Sequence, residues 1–329
     1  MREIEKNVKV FQQIVKEENA VGKWKCFTND CQNMAINSHL LQRHGILDNI
    51  TEDGHMYELS PISAYQLLSH STNKNDILLG FKKVGINNAI SWPLFCSKHD
   101  TMLFADIEKR ELDCADYHNQ LLFSYRTVCG EIRKNEILCR IYKRYIEEGV
   151  LNTTKITQIK DTIRGLEQTI EDYRFYEKEI QNELSEQQER FVFRHYSYKQ
   201  LHLYASAAFS YILYDKEKEF DPLPWECCFF HIIPLPHSSE IIVGYHRERT
   251  NPYLINYVER WNNLDNVKLE QMLSDFCTLR AESWGISVSL YNKIDKRKES
   301  DFLSLYQSLG HCHDARVKVE HGIFEGLLQ

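Results

Sequence analysis

The chain has 329 residues, 43 % hydrophobic and 12 % aromatic, which excludes a disordered chain and is enough for two or three domains with a real core. Its net charge of −7 repels polyanions, so any contact with nucleic acid must be local, through a metal or a basic patch. No stretch approaches the roughly 18 apolar residues of a spanning helix. The opening MREIEKNVKVFQQIVKEENA intersperses acids with bases, so neither leader nor membrane anchor is expected, and the protein is expected to be soluble and cytoplasmic.

Residues 1–22 place Ile4, Val8, Phe11, Ile14 and Val15 at helical spacing and predict an amphipathic helix. From 23 to 115 the glycines at 45, 54, 80 and 85, prolines at 61 and 93 and short apolar runs predict small strands and loops without a large core of their own. Ten cysteines in a chain with no export signal read as thiols or metal ligands. Cys26 and Cys31 flank a polar loop able to present two thiolates to one ion, and Cys96 and His99 have the spacing of a first helical turn. Together they predict a tetrahedral Cys3His zinc site that supplies folding energy to this region. The competing reading is unpaired buried cysteines beside a surface histidine.

Residues 116–195 predict a helical arm. Leu121, Leu122, Tyr125, Val128, Cys129, Ile132, Leu138, Ile141, Tyr142 and Tyr145 mark one face of a long helix ending near Gly149. After a cap at 152–154, Ile156, Ile159, Ile163, Leu166, Ile170 and Tyr173 form a heptad seam that continues with a slip through Tyr176, Ile180 and Leu184. The seam fits a hairpin with the preceding helix or a coiled coil with a second subunit in a homodimer. Arg126, Glu131 and Arg133 read as helical surface charge, with phosphate contact as the other reading.

Residues 196–329 predict an α/β domain: FSYILY as a strand, then two β-rich runs around the Pro-His-Ser-Ser turn of CCFFHIIPLPHSSEIIVGYHRE as an antiparallel hairpin. Helices follow near 254–261 and 268–281, a strand at 286–291, a helix near 300–308 and a polar tail. Adjacent Cys227 and Cys228 point to opposite faces of a strand, which argues against a second metal site with His231, His237 and His246. His311-Cys312-His313-Asp314 reads as tail, and Lys293, Lys296, Arg297 and Lys298 as a solvated loop. The whole is an α+β protein.

Between the two ligand pairs lies Ala35-Ile36-Asn37-Ser38-His39-Leu40, an apolar strand ending in a histidine. This order resembles the zinc-bound branch of the HNH endonucleases, of the treble-clef or ββα-metal type, over about residues 23–108. There a cysteine pair precedes a strand ending in Asp-His, and a later C-x2-C is followed at once by His or Asn. Cys26 and Cys31 match the first pair, Ser38-His39 the Asp-His, Cys96 and His99 the second pair, and Asp100 the last metal position. The resemblance implies that His39 is a general base and that Asp100 holds Mg2+ or Mn2+ against a scissile phosphate of DNA or RNA, with zinc purely structural. It also implies a setting such as bacterial phage defence. Ser38 stands where the family has an aspartate, so Asp106 or Glu108 would have to supply the missing carboxylate, and the stretch at 48–90 is an insertion. His39 has two other readings, a structural histidine on a backbone carbonyl or a zinc ligand in place of His99. His44 and His55 read as solvated or as lining the same cleft. The rival function is a non-catalytic zinc module that binds protein or nucleic acid. A further possibility, an unrelated enzyme in 197–329, finds no nucleophile elbow, phosphate loop or paired carboxylates there.

Overall fold

A computed structural model of the chain describes residues 2–20, 22–61, 79–213, 224–310 and 312–328. Its centre is a seven-stranded antiparallel sheet in the order β3-β2-β9-β6-β7-β8-β5. These strands are β2 (His55–Pro61), β3 (Leu79–Gly85), β5 (Phe191–Lys199), β6 (Leu203–Ser210), β7 (Cys227–Pro234), β8 (Ser238–His246) and β9 (Trp284–Ile286). β1 (Asn37–His39) and β4 (Ser91–Pro93) form a separate antiparallel pair.

β6 and β7 are buried at every residue, which explains their nearly unbroken apolar runs where an edge strand would alternate. Cys228, Phe230 and Ile232 face one core with α5 (Pro252–Glu259), α6 (Asn266–Leu279) and α8 (Lys296–Leu309). Cys227 and Phe229 face the other. The adjacent cysteines thus do sit on opposite faces.

Against that second face lies α3 (Tyr117–Glu147), paired with α4 (Thr153–Glu186). Asp116 and Asn152 cap their first turns, accepting from the Asn119 and Lys155 amides. Gly149 takes a positive φ of 65° in the turn between them. Cross-helix bonds join Tyr125 to Gln181 at 2.7 Å, Glu136 to Arg174 at 2.8 Å and Lys143 to Glu167 at 2.6 Å, a register that runs antiparallel. The two helices therefore pair as a hairpin within the chain, with Ile163, Tyr176 and Ile180 buried and Ile156, Ile159, Leu166, Ile170, Tyr173 and Leu184 half-buried. α3 is no projecting arm: every residue from Asn119 to Asn135 is buried. On its outer flank α1 (Arg2–Glu18) buries Ile14 and sets Phe11 against Tyr145, ring centroids 5.1 Å apart. The side chains of Ile4 and Val8 lie outside the described ones.

Four expectations are corrected. The insertion between β1 and β4 sends β2 and β3 into the large sheet, where β2 pairs with β9, so sheet strands come from both sides of the helical region. α4 stops at Glu186, with Gln187 at φ 55°, and the alternating FVFRHYSYK is strand β5 instead of arm. The strand expected at 286–291 is only the end of β9, because Ser287 accepts from the Leu290 amide and starts α7 (Val288–Lys293). Finally, the polar tail is packed: Val319, Ile323 and Phe324 are buried, and the Arg280 guanidinium donates to the Cys312, Asp314 and Val317 carbonyls. Among the described residues no helix is long and apolar enough to cross a membrane.

Candidate metal centre

Cys26, Cys31, Cys96 and His99 converge with their ligand atoms all within 4.8 Å of one another. The loop folds this way because the Cys26 amide donates to Asn33 O at 2.9 Å, the Cys31 amide to Thr28 O at 3.2 Å, and Asp30 takes a left-handed φ of 59°. Amides of Phe27 and Ile36 donate to Leu94 O and Phe95 O, each at 2.8 Å, which lays the second pair alongside the first. Cys96 is the extended N-cap of α2 (Ser97–Leu103), and His99 lies in its first turn.

Both Cys26 Sγ and Cys96 Sγ lie 3.4 Å from His99 Nδ1, and Cys31 Sγ lies 3.9 Å from Cys96 Sγ. Zinc bonds of about 2.3 Å to sulfur and 2.0–2.1 Å to nitrogen place tetrahedral ligands roughly 3.5–3.8 Å apart. These three separations are close to the edges of a zinc tetrahedron, with Nδ1 as the histidine atom turned to the cysteines. The amide of His99 directed at Cys96, with help from the neighbouring thiols and Asn33, lowers the Cys96 thiol, whereas that of Cys31, despite the Asn33 amide, is raised by burial and by the Cys26 and Cys96 thiols. Among the described residues this is the one group of three or more such side chains close enough to hold a metal.

Next to it, β1 carries Ser38 and His39 in register with Trp92 and Ser91. Ser38 is buried and its Oγ accepts from the Phe95 amide at 3.3 Å, so it braces the strand pair. His39 is partly buried and its Nε2 lies 3.0 Å from the Ile86 carbonyl. With Nε2 donating there, Nδ1 keeps the lone pair. Burial lowers its pKa, with Arg43 and Arg126 acting in the same direction against the Ile86 carbonyl and Asp100, so the ring is neutral near pH 7. His39 is not a member of the Cys3His group.

Asp100 and Glu108 meet a cation that sequence reasoning places on the surface. Arg126 is 1 % exposed; its Nη2 lies 2.7 Å from Glu108 and 3.4 Å from Asp100, and its guanidinium sits 3.9 Å over the Phe104 ring. Arg133 lies over Trp24 and Phe27 at 4.6 and 5.5 Å and donates to the Lys25 carbonyl, and Arg140 lies 4.6 Å from Trp24. Between them Gly130 leaves room for Leu40, whose Cδ2 would stand 2.7 Å from an added Cβ. The face of α3 turned to the metal region is therefore an arginine ladder on aromatic rings. Its signal in the sequence is the heptad spacing of Arg126, Arg133 and Arg140 with a glycine between them.

The remaining candidates do not join the site. Asp106 pairs at the surface with Lys109 and His118, His44 is exposed beside Asp48, and His55 is exposed on the Asp53 carbonyl. His231 is fully buried between Ser124 and Ser206, 3.4 and 3.2 Å away, and burial drives its pKa down to about 3. His246 faces Glu179 at 3.5 Å, and the His313 ring is 5.3 Å from Trp225. His311 lies outside the described residues. Lys296 and Arg297 pair with Glu299 and Asp301 in α8, and Lys298 donates to the Glu325 carbonyl. No protein-family model, curated protein or solved structure matches the chain.

Proposed function

We propose that the protein is a metal-assisted phosphodiester hydrolase of the HNH-like kind, acting on nucleic acid through His39, with Cys26, Cys31, Cys96 and His99 holding a structural zinc ion. The observation that carries this reading is the His39 imidazole: one nitrogen anchored on the Ile86 carbonyl, the other left as an acceptor, in the electrostatic neighbourhood of Asp100. A neutral, oriented imidazole suits the removal of a proton from an attacking water. Asp100 is the carboxylate that would hold Mg2+ or Mn2+, whose sites need one or two protein carboxylates and are completed by water and substrate phosphate. Such an ion would stabilise the charge that develops on the phosphate oxygens. A phage-defence setting rests on the family resemblance alone.

A second reading, a zinc-stabilised module that binds protein or nucleic acid without cutting it, is favoured by the contacts of His39, Asp100 and Ser38: the bond from His39 to the Ile86 carbonyl is the one expected of a structural histidine. Asp100 faces the buried Arg126, and Ser38 is bonded to the Phe95 amide where the family has a carboxylate.

The test is to compare wild type with His39→Ala for bound zinc and for cleavage of plasmid DNA and RNA in Mg2+ or Mn2+. Cleavage by the wild type alone, at equal zinc content, is the expected result. Loss of zinc in His39→Ala would remove His39 from the role of base, and a wild type that binds but never cuts would favour the second reading.

A further inference from the structure

His39 takes its orientation from Ile86, which opens a single 3-10 turn, Ile86–Asn88, between β3 and β4. Two residues beyond that turn, Ile90 has φ 29°. A β-branched residue with positive φ costs about 1–3 kcal/mol and persists only where its surroundings fix it. Two bonds fix this one. The Ile90 carbonyl accepts from the Leu40 amide at 3.0 Å, next to His39, and the Ile90 amide donates to Glu58 Oε1 at 2.9 Å.

Glu58 lies on β2, in the large sheet, and the same Oε1 accepts from the Tyr204 hydroxyl at 2.6 Å. Tyr204 is on β6, and β9 runs between the two. The residues in register across these strands are Lys82, Glu58, Gly285 and Tyr204, so they share one face. Gly285 has no side chain in the row, and a Cβ there would stand 2.3 Å from Tyr204 Oη. Glycine on β9 is what lets the tyrosine cross to the carboxylate.

We propose that Glu58 is a positioning residue for His39: it ties the strained Ile90 to the sheet and so fixes the turn whose Ile86 carbonyl orients the imidazole. This rests on the reading of His39 as the working group. The groups that face Glu58 are Tyr204, the Ile90 amide and, along the row, Lys82; those around His39 are Arg43, Arg126 and Asp100. Glu58 does not touch the zinc ligands, so its removal leaves the metal in place while the imidazole is released.

The experiment uses the zinc-loaded full chain with 15N-labelled histidine, comparing wild type, Glu58→Gln, Glu58→Ala and Glu58→Asp. Glutamine keeps an acceptor for both donors, whereas alanine has none and aspartate falls short of Ile90. Wild type and Glu58→Gln are expected to show one His39 tautomer with its proton on Nε2. Glu58→Ala and Glu58→Asp are expected to show averaged imidazole shifts, with the Ile90 amide exchanging about tenfold faster, the scale of one lost buried hydrogen bond. Zinc content and the His44 signals should stay constant, and Glu58→Asp serves if the alanine variant does not fold. An unchanged His39 spectrum in Glu58→Ala or Glu58→Asp at full zinc content overturns the proposal, as does a Glu58→Gln spectrum like that of Glu58→Ala. A wild type that cuts no nucleic acid yet shows the His39 change leaves the positioning role standing and removes only the nuclease reading.

Discussion

Around the Cys–His centre short elements converge on four potential ligands and pack Leu40, Leu41, Leu94, Phe95 and Phe104 against α3, whereas the seven-stranded sheet builds a wide core on both of its faces. The metal region has a three-residue strand on each side of one pair and a seven-residue helix, lengths that do not stand alone in water. The sheet buries Phe229, Phe230, Ile232, Ile233, Ile241 and Ile242 completely and sets Phe230 tilted against Phe276 with centroids 4.1 Å apart. One helix serves both: α3 offers arginines to aromatic rings on the metal side and Ser124 and Thr127 to His231 and Ser206 on the sheet side. A short-range ligand set and a long-range core thus share a single buried support.

The sharpest way to separate the two regions is to remove the metal. Structural zinc in small domains supplies roughly 10–16 kcal/mol of apparent binding energy, so chelation or Cys96→Ser should abolish hydrogen-exchange protection across 24–40 and 91–104. The amides of β6 and β7 should remain protected. Equal loss in both regions would show that the sheet depends on the metal too, and no loss in either would refute the zinc assignment.

The converse cut is Phe230→Ala, which should cost about 3–5 kcal/mol by leaving a cavity against Trp261 and Phe276. Denaturant melts should show a global loss of stability while zinc content under native conditions stays at the wild-type level. A change in metal stoichiometry at unchanged melting would break the contrast.

The smallest expected effect lies at the joint. Burial raises the Glu58 carboxyl to about 7, against the lowering pull of the Tyr204 hydroxyl and the Ile90 amide, whereas in the unfolded chain it titrates near 4.5. Between those values the folded state binds the extra proton, so stability falls as pH rises from about 5 to 8 and is least above the folded value. Glu58→Gln should flatten that slope by about 2 kcal/mol, read as the difference between the two proteins in melts at pH 5.5 and 8. Parallel curves for the two would mean that Glu58 does not change charge in this range.

What the sequence makes legible is local. The two ligand pairs are readable because each is set by a short loop or a helical turn, and the order of Cys26, Cys31, Cys96 and His99 needs no knowledge of what lies between. α3 and α4 are readable from their periodicity and from Asn152 as a cap. The hairpin of β7 and β8 follows from two apolar runs around a turn. What fails is long-range pairing. Nothing near His55–Pro61 states that β2 will lie beside Trp284–Ile286, since that partner is more than 220 residues away along the chain. The arginines of α3 mislead for a related reason: charge reads as surface until the aromatic rings and carboxylates that receive it, Trp24, Phe104 and Glu108, are brought in from another part of the chain. Ser38 could be read only as a missing ligand, because its amide partner at Phe95 lies beyond the insertion.

The path of the backbone between β1 and β4 has one more consequence. By leaving the metal region, adding β2 and β3 to the distant sheet and then returning, the chain sews its two halves together. A fragment that stops at residue 115 keeps all four ligands but carries a hairpin whose β2 edge has lost β9, with open amides and carbonyls that invite self-association. Halves of this protein are therefore not modules to be cut apart and exchanged, and the centre is best handled as a graft that can move only together with the strand it lends.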